Sequence, residues 1–158
     1  MKLQEFFLEL EESGRCRLSL KEEFSYGTDK ADDISHSYQV AELMNSVFHL
    51  GNKAEEYVYL IAVNIQTRIL GIFELSHGNM EMSTVMPREI FTRILLCGAH
   101  GFFLVHNHPS QVVKPSNADA EVTKRIEEAS KIVGLHFLDH IILAKDSFYS
   151  FFDDNKIK

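Results

Sequence analysis

An α/β domain, with helices layered on a mixed β-sheet, is the fold class that this sequence predicts, and three observations carry the prediction. Segments with apolar residues at helical spacing alternate along the chain with short apolar runs rich in aromatic and β-branched residues. Two of those runs, residues 55–65 and 68–75, meet across the polar turn Asn64-Ile65-Gln66-Thr67, which predicts an antiparallel hairpin. The later runs are separated by helical segments, and helical crossovers favour parallel neighbours, so the sheet is expected to combine both senses.

At 158 residues and 45% hydrophobic content, the chain has enough apolar surface for one domain with a proper core and too little for two generous ones. Residues 1–35 are expected to form an N-terminal extension, a short helix and a strand, and residues 36–158 the domain itself. The formal net charge of −7 includes no block of like charge. That argues against the basic footprint of a non-specific nucleic-acid binder and leaves nucleic acid as a weak partner at most. Cys16 and Cys97 are too few for a disulfide framework or a cysteine-rich metal site, and are expected to be buried thiols in a reducing compartment. The first ten residues lack the pattern of a signal peptide and no run reaches the length of a membrane span. A cytoplasmic protein with no membrane partner is expected.

Taken in order, Leu3, Phe6, Phe7 and Leu10 have i, i+3, i+4, i+7 spacing. This predicts a short amphipathic helix ending near Gly14, packed on the domain or on a second copy in a homodimer. Residues 15–24 alternate as a strand, and the polar stretch 25–33 is the best candidate linker. Val40, Leu43, Met44, Val47 and Phe48 mark the inner face of a helix over 37–50, with Gly51 as its stop. After the hairpin, Pro87 near a first turn, Glu89 and Arg93 paired four apart, and Ile90, Ile94 and Leu95 facing inward predict a helix over 87–98. Residues 101–105, Gly-Phe-Phe-Leu-Val, read as a buried strand. A long helix over 117–133 presents Ala118, Val122, Ile126, Ala129 and Val133 on one face and ends at Gly134. A strand over 135–144, the turn Asp146-Ser147 and a strand over 148–152 complete the chain.

The chemistry concentrates where the buried strand ends, at His106-Asn107-His108-Pro109, followed by Ser116 and Asp119. Residues two apart in a strand share a face, so His106 and His108 are expected to point the same way. Ser116-x-x-Asp119 is close to an ordinary capping box, and taken alone it is a helix cap rather than a site. With Ser116 as N-cap, Asp119 falls in the first turn, where the helix dipole favours an ionised carboxylate. Two imidazoles and a carboxylate give a divalent metal three ligands and leave a fourth tetrahedral position open, as catalytic zinc sites do. Glu74 stands out separately: it lies in the apolar strand Gly71-Ile72-Phe73-Glu74-Leu75, where burying an unpaired carboxylate is costly. The alternative there is an edge-strand glutamate facing water.

With these residues placed, the chain resembles the RadC-like branch of the JAMM (MPN+, JAB-domain) metalloprotease superfamily. Its signature is a glutamate on an early strand, then His-x-His, seven residues and Ser-x-x-Asp. Here His106-x-His108 is followed by residues 109–115 and Ser116-x-x-Asp119 without a gap. RadC-like phrasing extends over about residues 36–152, in Pro87-Arg88-Glu89-Ile90-Phe91, Thr123-Lys124-Arg125 and Leu138-Asp139-His140-Ile141-Ile142. Two departures stand out. Gln111 occupies a position that is commonly glycine in RadC relatives, and Gly78-Asn79 replaces the usual Gly-Thr. Full-length RadC proteins also carry a helix-hairpin-helix region suited to DNA, for which residues 1–35 are too few and too acidic.

The resemblance implies a JAB/MPN, cytidine-deaminase-like architecture. It also implies a zinc-dependent hydrolase that cleaves peptide or isopeptide bonds of an unknown peptide or protein substrate with metal-activated water. Within it, His106, His108 and Asp119 are the Zn2+ ligands, Ser116 helps to stabilise the oxyanion and Glu74 is the general base. The competing expectation is a non-enzymatic, metal-bearing or DNA-repair-associated accessory protein. A nucleotide deaminase is disfavoured because the His-x-Glu and Pro-Cys-x-x-Cys pattern is missing. An HNH nuclease is disfavoured because its three residues come from separate parts of a ββα unit. His77, His100, His136 and His140 have no placed metal partner, so each is expected to be an ordinary surface or core residue. Loops 76–86 and 110–115 are the expected substrate-recognition segments.

Overall fold

The computed structural model describes residues 1–27, 33–78 and 85–157. Two strands open the chain, β1 (Lys2–Leu10) and β2 (Cys16–Ser25), followed by helix α1 (Ser37–Phe48) and a 3₁₀ turn, Leu50–Asn52. The hairpin is β3 (Glu56–Val63) and β4 (Ile69–Gly78); then come α2 (Pro87–Leu96), β5 (Gly101–Asn107), α3 (Asn117–Val133), β6 (His136–Leu143) and β7 (Phe148–Ser150). Among the described residues the strands form one sheet in the order β2-β1-β4-β3-β5-β6-β7. It is mixed, as expected: β1–β4 and β5–β6 are parallel, and the other neighbours are antiparallel. Strand β6 reaches β5 through α3, the crossover that makes their pairing parallel.

The central strands β3 and β5 are buried on both faces, and alternation sends their residues to two separate cores. Val58, Leu60, Phe102 and Leu104 pack beneath α2 and α3 with Ile90, Ile94, Val122 and Ile126. Tyr59, Ile61, Phe103 and Val105 pack beneath α1 with Val40, Leu43 and Met44. Below, these are the α3 face and the α1 face.

The N-terminal helix expected from Leu3, Phe6, Phe7 and Leu10 is instead strand β1, which pairs with β2 and β4. The helical spacing was coincidental. Leu3 is buried on the α1 face, Phe6 packs on the α3 face against Phe73, and Phe7 and Leu10 are largely exposed. Residues on opposite sides of a sheet thus mimicked one helical stripe. Gly71 makes the arrangement possible, since a Cβ there would lie 3.0 Å from the Phe6 ring. Residues 1–27 therefore continue the sheet of the domain. Of the expected linker at 25–33, residues 28–32 lie outside the described residues.

Some smaller corrections arise because helix periodicity does not say how wide the buried stripe is. Leu95 and Val133 are exposed, while Asp119, Thr123 and Ser130 join Val122 and Ile126 on the buried face of α3. Helix α1 stops at Phe48 with His49 in the left-handed conformation, and Gly51 serves another purpose. A Cβ on Gly51 would lie 2.4 Å from the Ala144 carbonyl oxygen, so glycine is required for close approach. Arg93 donates to the Glu89 backbone carbonyl at 2.8 Å. Cys16 is exposed and Cys97 half-buried, because Cys16 begins the edge strand β2. Among the described residues no helix is long and apolar enough to cross a membrane.

Candidate metal centre

His106 and His108 leave β5 on the α3 face, as the period of two requires, and α3 delivers Asp119 to the same point. His106 is fully buried and Asp119 nearly so, while His108 is partly open. One ligand atom from each lies within 4.8 Å of the others. The two Nε2 atoms are 3.0 Å apart, His106 Nε2 lies 3.4 Å from Asp119 Oδ1, and His108 Nε2 lies 3.5 Å from Asp119 Oδ2. Donor atoms on a tetrahedral zinc ion, with bonds of about 2.0–2.1 Å, are spaced by about 3.3 Å; the cluster stands near that spacing, each histidine being nearest a different oxygen of the Asp119 carboxylate.

The hydrogen bonds behind the ligands point the same way. His108 Nδ1 lies 2.7 Å from the Val112 carbonyl oxygen. A carbonyl can only accept, so Nδ1 carries the proton and the Nε2 lone pair faces inward. Gln111 helps to hold that carbonyl in place. It adopts the left-handed conformation, with φ of 62°, which explains why glycine suits this position in relatives. Its side chain donates to the Gly51 carbonyl at 3.1 Å and accepts from the Lys145 N–H at 2.9 Å. These two bonds latch the loop beside the metal ligands and offset the backbone strain.

Ser116 and Asp119 form both halves of a capping box on α3. The Asp119 N–H donates to Ser116 Oγ at 3.1 Å, and Ser116 N–H and Oγ–H both donate to Asp119 Oδ2 at 2.7 Å. The cap and the ligand are thus the same residue. Oδ2 is committed to Ser116, which leaves Oδ1 as the ligand oxygen. The only proton of the Ser116 hydroxyl is also committed, so the hydroxyl must turn before it can serve an oxyanion.

The electrostatics of the cluster reflect its depth. Burial pulls the His106 imidazole below its ordinary value, against the attraction of Asp119. Asp119 raises His108 despite its partial burial, because the protonated imidazole would donate from Nε2 to the carboxylate. Burial pushes the Asp119 carboxyl up, but the two histidines and the Ser116 N–H together hold it well below the usual carboxylate range. Asp119 therefore stays ionised and ready to bind a cation.

Glu74 is not brought to this cluster. It pairs with Tyr59, whose face is the α1 face, whereas His106 pairs with Val58 on the α3 face. Strand β3 also stands between β4 and β5. The Glu74 carboxylate is held by His77 Nδ1 at 2.7 Å, Lys21 Nζ at 3.3 Å and the Tyr59 hydroxyl at 3.4 Å. This pairing explains how a carboxylate is tolerated in an apolar strand.

The glutamate that does reach the cluster is Glu56, the first residue of β3, which sequence reasoning missed. It lines a cleft of about 520 Å³ together with His108, Ser110, Ser116 and Asp119, and its negative charge helps to raise His108. It lies two residues before Val58, the partner of His106, and so shares the α3 face. The period-two argument applied to the two histidines would have found it, given the register of β3 against β5. Asn107, pointing to the opposite face, brackets it: Oδ1 accepts the Tyr57 N–H at 2.8 Å and Nδ2 donates to the Glu55 carbonyl at 3.0 Å. A larger cavity of about 610 Å³, lined by Phe24, Tyr26, Tyr38 and Glu42 among others, contains no such converging donor set among the described residues.

His140 is also more than an ordinary core residue. Its Nε2 lies 2.9 Å from His106 Nδ1, and its Nδ1 lies 2.6 Å from Thr123 Oγ1. Burial keeps its imidazole well below the ordinary value, and hence neutral. His77 is bound to Glu74, and His100 and His136 stack on each other, exposed, at 4.3 Å. Of the expected recognition loop at 76–86, residues 79–84 lie outside the described residues.

Comparison with known proteins gives the family. The family model of the RadC-like JAB domain matches residues 34–157. A UPF0758 protein of Chlorobium phaeovibrioides is 34% identical over 106 residues, 67% of this chain and 48% of that protein. One from Clostridium acetobutylicum is 35% identical over 126 residues, 80% of this chain and 54% of its own length. Another from Finegoldia magna is 40% identical over 97 residues, 61% of this chain and 44% of that protein. The chain thus spans about half the length of the curated relatives it matches. The seven-stranded mixed sheet with its three helices agrees with a JAB/MPN fold. On the family match and the extent of these similarities, the chain belongs to the RadC-like JAB domain family.

Proposed function

We propose that this protein is a zinc-dependent hydrolase that cleaves peptide or isopeptide bonds. One observation carries the reading: three donor atoms converge beside a cleft that His108 and Asp119 line and whose wall supplies a glutamate, Glu56, outside the ligand set. His106, His108 and Asp119 would hold the ion and leave a fourth position open to the cleft. Zinc bound there supplies a water acidified to a pKa of about 7 and polarisation of the substrate carbonyl.

The remaining steps belong to the chain. Glu56, half-buried on the cleft wall, accepts the water proton and returns it to the amine nitrogen as the bond breaks. The role expected of Glu74 thus passes to Glu56, on the side of the sheet where the ligands lie. Ser116 keeps Asp119 Oδ1 turned inward, and donates to the oxyanion only when its hydroxyl swings away from Oδ2. The His108 imidazole holds its lone pair on the cleft side through the Val112 carbonyl.

Metal content tests the reading first. Protein purified without added metal should carry zinc near one equivalent, and His108→Ala should lose it. Full zinc retained by His106→Ala/His108→Ala overturns the centre. Hydrolysis of fluorogenic peptide and isopeptide substrates tests the second half. Zinc bound stoichiometrically with no hydrolysis of either class would favour the accessory-protein alternative.

A further inference from the structure

We infer that His140 and Thr123 are positioning residues that fix the tautomer of His106, and so decide whether its Nε2 can bind a metal at all. The inference rests on the metal centre proposed above and concerns residues outside the ligand set.

The hydrogen-bond chain has only one consistent polarity. Thr123 Oγ1 lies 2.6 Å from the Asp119 backbone carbonyl oxygen and 2.6 Å from His140 Nδ1. A hydroxyl has one proton, and a carbonyl oxygen can only accept. Thr123 therefore donates to the Asp119 carbonyl and accepts from His140, which must carry its proton on Nδ1. His140 Nε2 is then a bare lone pair, and at 2.9 Å it accepts the proton of His106 Nδ1. His106 is left with an unprotonated Nε2 directed at His108 and Asp119.

Packing holds the chain rigid. His106, His140 and Thr123 are all buried, so water does not compete for these groups. The His140 ring lies flat against Phe151, with centroids 4.8 Å apart and planes 6° apart. Strand register sets the reach: β6 places His140 beside Leu104, one same-face step from His106 on β5. The relay starts and ends on Asp119, whose carbonyl anchors it and whose carboxylate is the third ligand. Turning Thr123 round would bring two oxygen lone pairs together at 2.6 Å, which is why the reverse polarity is excluded.

The experiment measures zinc affinity of the full chain by competition with a chromophoric chelator, with no hydrolysis assay. Thr123→Val is nearly isosteric and lacks the hydroxyl, so His140 is free to carry its proton on Nε2 and push His106 into the wrong tautomer. His140→Leu removes the acceptor altogether. Each should weaken zinc binding by about 10- to 100-fold. Thr123→Ser should bind like the wild type. His140→Gln can place an amide oxygen where Nε2 was and should recover most of the affinity. An amide has no tautomer to set, so Thr123→Val should cost almost nothing when added to His140→Gln. Equal losses from Thr123→Val in both backgrounds would mean simple packing and would overturn the inference, as would His140→Leu binding within two-fold of wild type. A wild type that binds no zinc overturns the metal centre itself and the relay with it, whereas normal wild-type binding with unaffected variants overturns the relay alone.

Discussion

The two faces of strands β3, β5 and β6 carry the same kinds of residue to different ends. On the α3 face, His106 and His108 converge with Asp119, His140 stands behind His106, and Glu56 lines the adjoining cleft. On the α1 face, their neighbours Asn107 and Asp139 spend every polar atom on local backbone and side-chain partners. Glu74, on β4, also lies there, bound to Lys21, His77 and Tyr59. The difference teaches that a polar residue in a buried strand has two distinct justifications. Either its hydrogen bonds are closed within the protein, or its lone pairs are left aimed at a ligand.

The largest test of this contrast sets the two glutamates against each other. Glu56→Gln should keep its zinc and lose hydrolytic activity by ~10²-fold or more, the usual contribution of a general base. Glu74→Gln should keep both. A Glu74→Gln protein that is inactive while Glu56→Gln is active would reverse the assignment of the faces.

Asn107 offers a sharper version, because it lies on the α1 face and yet holds the two residues flanking Glu56. Asn107→Ala strips partners from the Tyr57 N–H and the Glu55 carbonyl, and should cost about 2–3 kcal/mol of stability. For a domain of this size that lowers the melting temperature by roughly 5–10 °C. Zinc content should survive while activity falls, because the ligands are untouched and the base is displaced. Thermal melts paired with metal analysis would separate the two effects.

A smaller effect should appear with pH. Burial pushes the Asp139 carboxyl up to about 6, against the hydrogen bonds from Ser150 and the Phe152 N–H. The folded protein then holds its proton more tightly than the unfolded chain, so this group favours folding below about pH 4. Its contribution declines as pH rises through 6, by up to about 3 kcal/mol. Asp139→Asn keeps the shape and can accept from Phe152, so it should match wild type below about pH 4 and be more stable at pH 7.5. A wild type that loses no stability relative to Asp139→Asn over that interval would show the carboxylate to be ionised at no cost.

The smallest expected signal is with DNA. With a net charge of −7, few phosphates can be neutralised, so no complex with random duplex is expected at about 150 mM salt and micromolar protein. A sub-micromolar, salt-sensitive complex in an anisotropy titration would make the accessory role the leading one.

Some elements were legible from local chemistry alone. Helix α3 runs over the expected residues because Ser116 caps one end and Gly134, with φ of 78°, closes the other. His106 and His108 share a face because strands alternate, whatever their neighbours. The misread segment, β1, has apolar residues on both sides of the sheet, and a pattern three or four apart then fits either period. Glu56 and His140 were invisible as site residues for a different reason. Each is 34 to 50 positions away from His106 in the chain, and only pairing register carries it there.

What the chain determined by itself was therefore the ligand set and its local frame: the strand end, the cap and the carboxylate in the first turn of α3, all governed by bonds within about a dozen residues. The fold alone decided which glutamate meets the ligands and which histidine stands behind His106. A one-residue change in parity sends a side chain to the opposite face of a sheet, and parity between strands is set by packing and register rather than by local sequence.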